Sequence, residues 1–319
     1  MKNLFADIMA AHVALRPNVR VTPLDHSRTL SRMFGCEVFL KCEHVQPTGS
    51  FKIRGASNKI RVLGAPARQT GVITASTGNH GLATARAGSL AHVPVTVYVA
   101  AETKQLKNDA IQGLGAELVI VDGGALDAEL QARQRAAELG KPYISPYNDL
   151  DVVAGQGTLG AELAEQDGDL DAVFIASGGG GLIGGTGTAL KRLSPKTRIV
   201  GVWPENSAAL LRSLEAGRIV SIDEKPTLSD GTAGAVEPGS VTFPICQAVI
   251  DETATVTEGE IAAAMRHIAV AERWMVEGAA GVALAGLIKR AADFAGQRVA
   301  VVLCGRNIAV ETFMAAVGR

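Results

Sequence analysis

The chain has 319 residues, 47% of them hydrophobic and only 4% aromatic, with a formal net charge of −1. At about 150 residues per domain this length predicts about two domains, filled by Ala, Val, Leu and Ile because aromatics are scarce. The near-neutral charge argues against nucleic acid as a partner, no apolar run is long enough to span a membrane, and Cys36, Cys42, Cys246 and Cys304 lack metal or disulfide spacing.

Asp7 interrupts the first apolar run, so the start is not a signal peptide and a cytoplasmic location is expected. Helical spacing runs over 4–15 and ends at Pro17. Residues 21–24 read as extended, 26–34 as a helix ending at Gly35, and 37–41 as a strand. A loop through Pro47, Thr48 and Gly49 leads to a helix carrying Lys52, with Ser50 as its expected N-cap. From residue 71 the pattern becomes strand, glycine turn, helix. Strands are predicted at 71–75, 95–99, 116–121 and 143–144, and helices at about 80–90, 104–114 (Gly115 as C-cap) and 126–139. A second alternating unit follows. Its strands are 172–176, 198–202 and 299–303; its helices are 151–166, about 181–193, 206–216, 258–271 and 279–293, with a closing helix after Asn307. Residues 223–243 are loop-rich, and Thr257-Glu258-Gly259-Glu260 forms a capping box. Strands joined by helices imply an α/β fold with parallel sheets.

Three turns and one lysine carry candidate chemistry. Ser177-Gly178-Gly179-Gly180-Gly181 follows an apolar strand and opens a helix, where backbone N–H groups and the helix N-terminus favour an anion. A phosphate cup is the natural reading; a flexible structural turn is the plainer one. The run is neither GxxxxGK[ST] nor a full dinucleotide fingerprint. Ser76-Thr77-Gly78-Asn79-His80 is a similar turn, suited to a carboxylate or to ordinary capping. Cys304-Gly305-Arg306-Asn307 is another, where Cys304 alone reads best as a small buried residue. Lys52, one turn into its helix, is either a solvated surface lysine or an amine activated by burial.

Taken together, these stretches resemble the fold-type II pyridoxal-phosphate enzymes of the threonine/serine dehydratase and serine racemase family. The resemblance covers nearly the whole chain. It rests on Thr22-Pro23-Leu24, Lys41-Cys42-Glu43, 49–56, 76–81, Ala154-Gly155-Gln156-Gly157-Thr158, 178–181 and 304–307. It implies two three-layer domains of the tryptophan synthase β type. Residues 1–69 and 149–319 would form the large cofactor domain, and 70–148 a small mobile one. It implies pyridoxal 5'-phosphate as cofactor, held by Lys52 as a Schiff base, with Phe51 beside the ring and Asn79 at the phenolic oxygen. Gly178, Gly179, Gly180, Gly181 and Leu182 would cup the phosphate, and Cys304 would face the pyridine nitrogen. Ser76, Thr77, Asn79 and His80 would read the substrate carboxylate. Lys52 and Thr77 are the catalytic candidates, since Thr77 stands where racemases carry a serine base. Tyr147 falls near the cofactor, although Ser145-Pro146-Tyr147-Asn148 departs from the usual pattern, and Glu277 is a candidate supporting residue.

The implied activity is β-elimination of a β-hydroxy amino acid to a 2-oxo acid and ammonia, in a homodimer. Serine racemisation is the first alternative, and a non-catalytic pyridoxal-phosphate-binding protein the second. Trp203 and Ala209 stand where metal-dependent relatives carry glutamate and aspartate, so no metal site is expected. The end of the chain at Arg319 resembles the catabolic members, which lack a regulatory domain. Trp203–Asn206, Ser229–Gly234 and Val236-Glu237-Pro238-Gly239 further resemble the dehydratases of hydroxyectoine utilisation.

Overall fold

A parallel strand buried on both faces reads as an unbroken apolar run, and Ala172–Ala176 is buried at every position. This strand lies inside the larger of two sheets in the computed structural model, which describes residues 3–76 and 78–318. The strands in chain order are β1 (Leu24–His26), β2 (Glu37–Lys41), β3 (Val72–Ala75), β4 (Val95–Ala100), β5 (Glu117–Val121), β6 (Ala172–Ala176), β7 (Arg198–Pro204), β8 (Glu252–Val256) and β9 (Arg298–Val302). The larger sheet has the order β1-β2-β9-β6-β7-β8, and β3-β4-β5 form a separate sheet. All pairings are parallel except β1 with β2.

Helices cover the sheets because each parallel connection must cross over. Gly278–Lys289, buried along most of its length, packs against β6, β7, β8 and β9. Leu150–Gln166 and Gly181–Leu193 pack closely against each other. Their backbones meet at two glycines: a Cβ on Gly185 would strike Val153 O and lie 2.7 Å from Gly157 N. No helix among the described residues is long and apolar enough to cross a membrane.

Several local expectations change. Ser50 does not cap the lysine helix. It pairs with Gly305 in an antiparallel bridge, its hydroxyl has no partner, and Phe51 takes the cap position in helical conformation. The helix expected over 104–114 stops at Gln112, and Gly115, at φ 86°, lies in the turn beyond it. The helix expected from 206 begins at Ala209, and the closing helix begins at Val310. The helix expected over 279–293 is Gly278–Lys289, with Ala291–Phe294 a separate 3-10 turn. A helix, Thr242–Val249, and the edge strand β8 lie where no element was expected.

The topology sets the site. The loops after β2, β3, β6 and β9 all leave the carboxyl ends of parallel strands, where α/β sheets bind ligands. Those loops carry Ser76, Gly78, Ser177 to Gly180 and Cys304 to Asn307, and lead into the helices that open with Lys52, Asn79 and Gly181.

Candidate active site

Lys52 opens the helix Lys52–Thr70, which the larger sheet holds at its start: Phe51 N–H donates to Cys304 O at 3.0 Å. Lys52 Nζ donates to Pro146 O at 3.0 Å. Burial lowers its pKa from the usual lysine value to about 8, against the opposing pull of Cys304 and Glu277. The Phe51 ring centroid is 5.1 Å from Nζ.

Pro146 leads directly to Tyr147, and Tyr147 lies on the glycine run. A Cβ on Gly179 would stand 2.5 Å from Tyr147 Cγ, and one on Gly178 would stand 2.6 Å from Thr232 O. Only glycine fits such contacts, and Gly180 also needs φ 86°, which side chains rarely adopt. The first intrahelical bond here is Gly184 N–H to Gly180 O at 2.8 Å, so the N–H groups of Gly181 to Ile183 have no helical acceptor. Leu182, in that first turn, is buried in the core.

The turn after β3 reaches the larger sheet through Asn79. Asn79 Nδ2 donates to Glu277 Oε1 and Oε2 at 2.9 and 3.0 Å, and Asn307 Nδ2 donates to Asn79 Oδ1 at 2.6 Å. Asn307 N–H also donates to Glu277 Oε2 at 3.1 Å, and Asn307 Nδ2 to Thr48 O at 2.8 Å. Burial raises the Glu277 carboxyl to about pKa 7, although the Asn79 and Asn307 hydrogen bonds favour its anion. Cys304 Sγ lies 3.9 Å from Glu277 Oε1. Its thiol is pushed well above the usual range, first by burial and then by Glu277, so it stays neutral.

Lys52, Phe51, Cys304, Asn79, Tyr147 and Gly179 therefore form one connected arrangement. Ser76 is half-buried and its Oγ accepts from Gly78 N–H at 3.2 Å. His80 points into the core instead: its Nε2 bonds Ile144 O at 3.0 Å, and burial lowers its pKa to about 3. Thr77 lies outside the described residues. Sequence reasoning gave Glu277 only a supporting place and gave Asn307 no role, yet they join both sheets. No sequence signal marked this role for Glu277; the structure shows why it is free to act. It caps the helix Gly278–Lys289 by position but makes no capping bond, which frees its carboxylate.

Trp203 is fully buried and Ala209 almost so, and no group of three or more His, Cys, Asp or Glu among the described residues is placed to hold a metal ion.

A half-buried amine of lowered pKa, an anion cup at a helix start and a neutral thiol fit pyridoxal phosphate: aldehyde, phosphate and ring nitrogen each find a suitable group. The chain belongs to the pyridoxal-phosphate dependent enzyme family, whose model matches residues 15–305. Among its relatives, an L-threonine ammonia-lyase of Thermotoga maritima is 39% identical, across 96% of this chain and 76% of that protein. An L-threo-3-hydroxyaspartate ammonia-lyase of a Pseudomonas species is 37% identical across 97% of both. The solved processed form of threonine deaminase isoform 2 from Solanum lycopersicum superposes with a TM-score of 0.95 at 31% identity, covering 100% of this chain and 94% of that one.

The lowered lysine pKa has a direct consequence in the cofactor-free protein. Only a neutral amine adds to an aldehyde, so reaction of Lys52 with pyridoxal phosphate is expected to speed up as pH rises through about 8 and level off above it. An ordinary lysine would titrate near 10.4. The Glu277 carboxylate favours the ammonium, so Glu277→Gln should shift the midpoint downward. Borohydride trapping followed by mass spectrometry of the Lys52 peptide measures both.

Proposed function

We propose that this enzyme is an ammonia-lyase that dehydrates and deaminates a β-hydroxy amino acid, leaving a 2-oxo acid and ammonia. The observation that carries the reading is the Lys52 amine, bonded to Pro146 beside the glycine cup and close to the neutral Cys304 thiol. Pyridoxal phosphate bound there supplies the electron sink that acidifies the substrate's Cα–H. Lys52 is the residue that would hold it, with the N–H groups around Gly178 to Leu182 on its phosphate and Phe51 and Tyr147 beside it. Asn79 would meet its phenolic oxygen, oriented by Glu277 and Asn307.

Lys52 Nζ takes the Cα proton. Ser76, Thr77 and Asn79 orient the substrate carboxylate at the start of the helix Asn79–Ala91. His80 supports that turn from within the core. Cys304 would face the cofactor's ring nitrogen, and its neutral thiol would not hold that nitrogen protonated as a carboxylate would. The sink is then milder, which favours loss of the β-hydroxyl over a long-lived carbanion. The proton that Lys52 took from Cα leaves with the β-hydroxyl as water, and the free enamine tautomerises and takes up water to give the 2-oxo acid and ammonia.

Residues 70–148, built around the three-stranded sheet, would move toward the remainder when substrate binds. A cytoplasmic homodimer is the expected form. The substrate class includes threonine and 3-hydroxyaspartate, the compounds named for the relatives, and a hydroxylated diaminobutyrate derivative from hydroxyectoine.

Ammonia release from a panel of these β-hydroxy amino acids, with chiral analysis of residual L-serine, tests the reading. Ammonia and 2-oxo acid should form together. D-serine accumulating faster than 2-oxo acid would make the protein a racemase, and pyridoxal phosphate bound without turnover would make it a binding protein.

A further inference from the structure

Two stretches that stood out in the sequence, Ser145–Asn148 and Val236–Gly239, grip each other. Glu237 N–H donates to Tyr147 Oη at 3.0 Å, and Tyr147 Oη donates to Ala235 O at 3.4 Å. Asn148 Nδ2 donates to Glu237 Oε2 at 2.8 Å, and Val241 N–H donates to Asn148 Oδ1 at 2.9 Å. Residues 235–241 thus form a strap over Tyr147, whose ring lies on Gly179. The strap continues into the glycine run, because Thr242 Oγ1 donates to Gly179 O at 2.6 Å. In a trans peptide the carbonyl and the following N–H point opposite ways. This bond therefore turns Gly180 N–H away from Thr242.

Beside these bonds to Tyr147 and Asn148, the strap has a charged tie to the helix that packs on the three-stranded sheet. Arg133 Nη2 meets Glu237 Oε1 at 2.6 Å, with the two side chains 35% and 25% exposed. Arg133 lies on the helix Ala125–Leu139 and is fixed there by Glu129 at 2.9 Å and by the Tyr143 ring, 4.4 Å from its guanidinium carbon. Tyr143 in turn bridges to Ile73 of β3.

We infer that Glu237 is a positioning residue: its pair with Arg133 lets the body around the three-stranded sheet set the strap, and through the strap Tyr147 and the glycine cup. Approach of the two sheets then tightens the cofactor seat and the substrate cleft together. The inference rests on the lyase reading for its kinetic consequence, but the strap itself can be observed without turnover.

The test uses pyridoxal-phosphate-loaded protein with Arg133→Met, Glu237→Gln and the double variant. Glu237→Gln keeps the side chain's shape and the Arg133–Glu129 pair, so it separates loss of the tie from damage to the helix. Amide hydrogen exchange across 235–241 is expected to rise about fivefold in each single variant and no further in the double, since the loss both share is the Arg133–Glu237 pair and glutamine keeps an acceptor oxygen for Asn148 Nδ2. With any β-hydroxy amino acid that is turned over, KM should rise about fivefold while kcat stays within about twofold, a size suited to a partly exposed ion pair. Unchanged exchange across 235–241 in both single variants, or effects that multiply in the double, would overturn the inference. Absence of turnover with every substrate would count against the lyase reading and leave the exchange result to decide this one.

Discussion

Replacing Lys52 with alanine is expected to abolish the borohydride-trapped adduct and lower ammonia release by at least about a thousandfold. In the proposed reaction Lys52 is both the covalent anchor and the Cα base, so one change would remove both. It should still fold, because the helix Lys52–Thr70 is held by Phe51 N–H on Cys304 O and by Arg54 farther along, not by the amine. Lys52→Arg is the sharper control. It keeps a cation and a long side chain, but a guanidinium stays protonated and cannot act as the nucleophile. Both variants should bind pyridoxal phosphate non-covalently through the cup, seen as its absorbance with no mass shift after reduction. Turnover retained in either variant, or an adduct trapped on a different lysine, would refute the assignment.

The parts of this fold that were legible in the sequence are those whose cause is local. Ala172–Ala176 and residues 299–302 lie inside a parallel sheet and read as apolar runs. The edge strand Glu252–Val256 is only partly covered, so its Glu-Thr-Ala-Thr-Val mixture carried no such signal. The helix Thr242–Val249 was hidden behind Pro238 and Gly239 and has Pro244 in its first turn, a position where proline is tolerated.

The site divides in the same way. A glycine run after a strand and a lysine at a helix start are visible because their chemistry needs neighbouring residues. Glu277 meets Asn79 across 198 positions, and Asn307 meets Asn79 across 228. No spacing rule reaches that far. Ser50 failed for another reason: a serine before a helix is a good cap, but here a bridge to Gly305 fixes its backbone first.

Removing the Arg54 guanidinium is expected to cost about 3–5 kcal/mol of folding stability, the usual loss when one side of a buried ion pair is deleted. Arg54 lies two residues after Lys52 and is 1% exposed. All five of its N–H groups are used. Nε and Nη2 bond Glu43 at 2.7 Å each, Nη1 and Nη2 bond Glu162 at 2.7 and 2.8 Å, and Nη1 bonds Thr158 Oγ1 at 3.0 Å. Lys41 closes the cluster on Glu162 at 2.8 Å, giving two buried cations and two buried carboxylates. Burial alone would raise the Glu43 carboxyl, but Arg54 overrides it and holds the pKa below the usual value. Arg54→Met leaves two carboxylates facing Lys41 alone. Adding Glu43→Gln removes one stranded charge, so the double variant should be more stable than Arg54→Met despite the further substitution. Urea unfolding of the cofactor-free proteins measures both. Arg54→Lys should not rescue, because a single ammonium cannot span Glu43, Glu162 and Thr158. A loss below about 1 kcal/mol in Arg54→Met, or a double variant weaker than the single, would show that the cluster does not hold the start of the lysine helix through its charges.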